Sequence, residues 1–164
     1  MDQTHIHLLV THLPIFGSIL GGLVLSHGLW TKSNQTKIAA YNVLIIAAIG
    51  AAIAYFTGEA AEETVENIAG SAKSMIEEHE EAAELAFISL MILGGTSLIG
   101  LFLSYKKSAL ANKVALVVLL ISLVSFGLVV RTGYLGGQIR HTEVGPNGVN
   151  TPTQEQGGGE QDDD

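Results

Sequence analysis

The chain has 164 residues, of which 48% are hydrophobic and only 15% charged. A soluble domain carries about a quarter charged residues, so there is too little polar surface to coat a globule, and a soluble single domain is excluded. The net charge of −8 argues against nucleic acid as a partner, and the lack of cysteine excludes disulfides, thiolate catalysis, cysteine-ligated iron–sulfur clusters and covalently attached haem.

Lys, Arg, Asp and Glu are absent from residues 3–31, 38–58, 85–105 and 114–130. Each stretch is near the ~20 residues that a helix needs to cross a bilayer. The predicted helices span about 6–30, 38–57, 74–105 and 112–137. The first begins after Met1-Asp2-Gln3-Thr4-His5, which lacks the basic start of a cleaved signal peptide, so it reads as a retained membrane helix. Trp30 falls at interfacial height. Short connections at 31–37 and 106–113 force antiparallel neighbours. The expected fold is therefore all-α: an integral membrane antiparallel four-helix bundle over residues 1–143, followed by a disordered acidic tail over 144–164. The two hairpins resemble each other in length and in their basic turns, which hints at a duplicated pair without a residue-level repeat.

Charge orients the bundle. One turn carries Lys32 and Lys37, the other Lys106, Lys107 and Lys113, and neither has an acid. The 59–84 segment holds nine Glu and a single Lys73. The positive-inside rule then places both turns in the cytoplasm, with both termini and the acidic segment outside.

That orientation puts His5, His7, His12, His79 and His141 toward the outer face and His27 alone near the cytoplasmic end. At ~1.5 Å per residue, His79 stands ~39 Å above Tyr105, level with His5 and Glu63 and close to His141, with His12, Tyr55 and Arg131 in a layer ~12 Å lower. Around the third helix, Met75, Ile76, His79, Ala82, Ala83 and Ala86 form one stripe at helical spacing. Glu77, Glu80, Glu81 and Glu84 lie on other faces and Glu78 flanks the stripe, so His79 points into the bundle.

On the first helix, His7 and His12 are separated by ~140° and cannot face one metal unless the helix is distorted. Pro14 can distort it by removing the bond to the Val10 carbonyl. His7 shares its face with Ser18, Gly21 and Gly22, a surface suited to close helix contact. His12 shares its face with Phe16, Ile19 and Leu23. Arg131 interrupts the last helix after seventeen apolar residues. It either snorkels to the headgroups or serves as counter-ion for a cofactor carboxylate, Glu59 or Glu62.

The stretch His7-Leu-Leu-Val-Thr-His12-Leu-Pro14-Ile15 resembles the opening H-P-x-x-V-H-F-P-I of a bacterial four-helix membrane family, domain of unknown function 2231. Thr57-Gly58, His79 and Gly136-Gly137 ahead of His141 are similar to that family's later landmarks, over roughly residues 5–145. Leu8 and Leu13 depart from its proline and phenylalanine. The resemblance implies a bacterial inner membrane location and redox company, with His7, His12, His79 and His141 as the matching histidines.

Three functions are weighed. The first is a b-type haem carrier, an electron-transfer subunit with cofactor residues among His7, His12, His79, His141 and Arg131 and a cytochrome-type partner at the outer face. The second is a zinc or iron site drawn from His5, His7, His12, His79, His141 and Glu62 or Glu63. The third is a structural or assembly subunit without a cofactor. The lipid bilayer is the expected environment in every case, and homo-oligomerisation is open. Neither G-x-S-x-G nor H-E-x-x-H occurs, so a hydrolase is disfavoured.

Overall fold

The computed structural model describes His7, residues 9–66 and residues 73–140. Among these, four long helices form: α1 His12–Trp30, α2 Asn34–Glu66, α3 Lys73–Tyr105 and α4 Ala111–Arg140. No strand occurs among the described residues. Each helix contains a stretch long and apolar enough to cross a membrane: His12–Trp30, Asn34–Gly58, Ser74–Tyr105 and Ala111–Gln138. Along the middle of the bundle the outward faces are apolar, with Phe16, Leu23, Ile49, Ile92, Ile99, Leu120 and Val124 all exposed. Water does not tolerate so continuous an apolar belt, whereas lipid does. The chain is a multi-pass helical membrane protein.

The bundle closes as a ring. α1 packs on α2 and α4, and α3 packs on the same two. Small residues set these approaches: a Cβ on Gly17 would lie 2.6 Å from Ala47 Cβ, and one on Gly21 would lie 2.5 Å from Leu44 Cδ2. Tyr41, fully buried, lays its ring over Gly100, where a Cβ would come within 2.6 Å of Cε1. Hydroxyl bonds cross between helices as well. Ser122 donates to the Ser18 carbonyl at 2.8 Å, and Ser89 and Ser125 share a bond of 2.6 Å. Such bonds average about 0.6 kcal/mol in a membrane, so close packing of small residues is the larger contribution.

The first helix and the start of α2 add detail to the reading of the sequence. In the first helix one hydrogen bond is missing rather than the helical path: Thr11 keeps helical dihedrals, φ −56° and ψ −24°, and its N–H bonds to the His7 carbonyl at 3.0 Å. Pro14 is the cause, because without an N–H it cannot bond to Val10. It sits instead in the first turn of α1, where no intrahelical donor is needed. α2 also starts earlier than expected, at Asn34, and continues to Glu66. Its start is capped by Ser33, whose hydroxyl accepts from the Thr36 N–H at 3.3 Å. The tail lies outside the described residues.

The two turns are built alike. In the first, Lys32 N–H bonds to the Leu29 carbonyl and Ser33 N–H to that of Gly28. In the second, Lys107 bonds to Ser104 and Ser108 to Leu103. Both are the 5→2 and 6→1 pattern that ends helices, and Lys32 and Lys107 take the left-handed backbone at φ 54° and 51°. Lys37 is not in the turn but buried, 5% exposed. Its ammonium crosses to Asn112 Oδ1 at 2.8 Å, tying the two hairpins together at this end.

Candidate functional site

The stripe on α3 turns inward as its spacing requires. Ile76, Ala82 and Ala86 are buried and His79 is half-buried, while Glu77, Glu78, Glu80, Glu81 and Glu84 are exposed. His79 reaches across to α4, where its Nδ1–H donates to the Thr132 carbonyl at 3.1 Å. The Thr132 hydroxyl lies 3.0 Å from the Ala82 carbonyl, bracing α3 against α4 one turn from the imidazole.

His7 lies ahead of Pro14, on the side that faces the bundle. Its Nδ1–H donates to the Ala54 carbonyl of α2 at 2.8 Å. The protonation of both rings follows from their partners. A carbonyl can only accept, so Nδ1 carries the proton in each ring, and in the neutral imidazole the lone pair then resides on Nε2.

Both rings line one site. Its inner part is a cavity of about 120 Å³, walled by Pro14, Ala51, Ala86, Leu90 and Val129. Its outer part has about 420 Å³ and opens between α2 and α3, past Phe56 and Gly58 on one side and Glu80, Glu81 and Glu84 on the other. The outer volume is within the ~300–1,000 Å³ usual for organic ligands. Tyr55 and Phe87 stack at 4.4 Å; both border the inner part and Tyr55 also borders the outer part, giving the site a flat aromatic wall.

The remaining candidates fall elsewhere. His12 is exposed and stacks on Phe16 at 6.3 Å, on the outward side of α1, and does not line the cavities. The five-residue spacing separates the rings as expected, and Pro14 does not bring them back to one face. His27 is exposed at the other end of the bundle, edge-on to Trp30 at 6.5 Å. Arg131 pairs with Glu78 at 3.8 Å, both side chains being more than half exposed, and does not line the cavities. An exposed pair of this kind is worth little. His5, His141 and the side chains of Glu59, Glu62 and Glu63 lie outside the described residues. Among those described, no group of three His, Cys, Asp or Glu could hold a metal ion. A tetrahedral zinc or iron site would therefore need ligands from outside them, whereas two imidazoles are the full protein complement of a bis-histidine haem.

Sequence reasoning did not find the two carbonyls or the Tyr55–Phe87 stack. Acceptors on the backbone leave no side-chain signal, and the stack depends on how α2 and α3 are rotated against each other. The fold and the site together define a multi-pass helical membrane protein with a pair of inward histidines at one end. Comparison with known families, curated proteins and solved structures finds no match.

Proposed function

We propose that the protein is a haem b-binding membrane protein, a one-electron carrier, with His7 and His79 as the axial ligands. The observation that carries this reading is the shared tautomer: both imidazoles spend Nδ1–H on a backbone carbonyl, which leaves the lone pair on Nε2, and both residues line one cavity. Metal-binding histidines are oriented by this kind of second hydrogen bond. The donor set fits the group, and the apolar inner walls with the Tyr55–Phe87 stack suit a flat macrocycle. When bound, haem would supply one-electron redox chemistry. The chain's own residues fix the ring planes, exclude water on the inner side through Leu90 and Val129, and leave the glutamate-lined side open.

The reading includes an inner-membrane location, both turns facing the cytoplasm and a redox partner at the histidine end. The family resemblance of the opening is part of the same proposal. A periplasm-dependent reporter fused after Val144 is expected to be active and one at Asn34 silent; the reverse pattern would invert the orientation.

The cofactor is tested by the reduced-minus-oxidised spectrum of detergent-purified protein made with ample haem. A low-spin α-band with about one haem per chain is expected. No Soret absorption, with one zinc or iron per chain by elemental analysis, would replace haem by the metal site; neither group would leave the histidines structural.

A further inference from the structure

The two histidines are held in the same way by different hairpins. In the first, His7 donates to the carbonyl of Ala54, and Gly58 stands four residues further on. In the second, His79 donates to the carbonyl of Thr132, and Gly136 stands four residues further on. This repetition has a physical reason. A helical carbonyl already accepts from the N–H four residues ahead, so a side chain using its second lone pair must come in beside that residue. A Cβ there would crowd the ring: 3.2 Å from His7 Cε1 at position 58, and 3.0 Å from His79 Cε1 at position 136. Gly133 and Gly137, close by on α4, have nothing within 4 Å of such a Cβ.

The other ends of the hairpins match too. An aromatic residue, one further residue, Lys and Ser make each turn, as Trp30-Thr31-Lys32-Ser33 and Tyr105-Lys106-Lys107-Ser108. Lys37 and Asn112, each four residues after the turn serine, are bonded to each other. The second hairpin is longer by three residues, or about one turn, on each arm between turn and clasp.

We propose that the bundle is a duplicated hairpin whose two clasps, His7–Ala54–Gly58 and His79–Thr132–Gly136, bind one group between two imidazole Nε2 atoms, with Gly58 and Gly136 as positioning residues. The identity of that group as haem rests on the reading above; the clasp geometry does not. Gly58 borders the outer cavity and a Cβ on Gly136 would lie 3.8 Å from His79 Nε2, so the tautomers read without haem are what isolate the positioning role. Each glycine acts by letting its histidine reach the carbonyl that fixes the tautomer and the ring plane.

The test uses full-length protein labelled with ¹⁵N-histidine, purified in detergent without haem and read by NMR above the titration range of histidine. His7 and His79 are expected as Nδ1–H tautomers. Gly136→Ala shifts the tautomer balance at His79 and leaves His7 unchanged; Gly58→Ala does the reverse. Gly133→Ala and Gly137→Ala move neither. Because a ring can yield a few tenths of an ångström to a methyl, Gly136→Val and Gly58→Val are made in parallel, and Gly137→Val is the control for folding. On addition of haem, each clasp variant is expected to bind about 10–100-fold more weakly, as for other second-shell losses, or to convert partly to high spin. Unchanged tautomers in both valine variants, or an equal response at position 137, would overturn the positioning role. Two haems per chain would overturn the single shared group. A tautomer response in protein that takes up no haem at all would uphold the clasps and overturn the haem reading alone.

Discussion

His79→Ala and His7→Ala are each expected to insert and fold while losing the low-spin haem spectrum. The imidazoles border a cavity rather than fill the core, so truncation adds to an existing space instead of opening a new one. Loss of one axial ligand leaves five-coordinate, high-spin iron or no haem, and affinity falls by more than the ~100-fold that a lost supporting residue can cost. His12→Ala, on the outward face, and His27→Ala, at the far end, should keep the wild-type spectrum and stoichiometry. Absorption spectra of the four purified variants decide the matter. A spectrum that survives both His7→Ala and His79→Ala but disappears with His12→Ala would put the site on the wrong face of α1.

Gly17→Leu is the substitution expected to damage the bundle most. Its Cβ would meet Ala47 Cβ at 2.6 Å and, behind it, Ala47 Cα at 3.3 Å. A side-chain tip can rotate away, but a backbone atom moves only if α1 and α2 separate. Overpacking of this kind costs about 1–3 kcal/mol, occasionally more. Gly95→Leu and Gly127→Leu are the matched comparison, because nothing lies within 4 Å of a Cβ at either position. They should be neutral or stabilising, since Leu is the better helix former by about 1 kcal/mol. Thermal unfolding in detergent should separate Gly17→Leu from the other two, and equal midpoints would show that α1 and α2 are not packed this closely.

Much of the site was legible because helical periodicity is written in side chains. The Met75–Ala86 stripe, set against five glutamates, turned His79 inward, and the small face of Ser18, Gly21 and Gly22 did the same for His7. Rise per residue placed His79 level with His5, two residues before His7. What could not be read lies in the backbone and in helix rotation. The Ala54 and Thr132 carbonyls are chemically like every other carbonyl in the chain, and only the packed bundle selects them. From the sequence Arg131 reads as snorkelling or as counter-ion for a cofactor carboxylate, Glu59 or Glu62; among the described residues it meets Glu78, a pairing set by the rotation of α4 against α3. The proposed duplication was legible only as a hint, in hairpin length and basic turns, because the rest of the likeness is carried by turn geometry and hydrogen-bond partners.

The two turns have a consequence for how the chain enters its membrane. Each places a lysine in left-handed backbone, at φ 54° and 51°, where glycine would be at ease and an L side chain costs roughly 1 kcal/mol. The same two residues carry positive charge in the turns within the two hairpins, where basic residues bias which way a helical pair threads. Conformational ease is given up in both places for charge. On the orientation proposed above, each hairpin holds its own copy of the orienting signal, and either hairpin made alone is expected to insert the same way round.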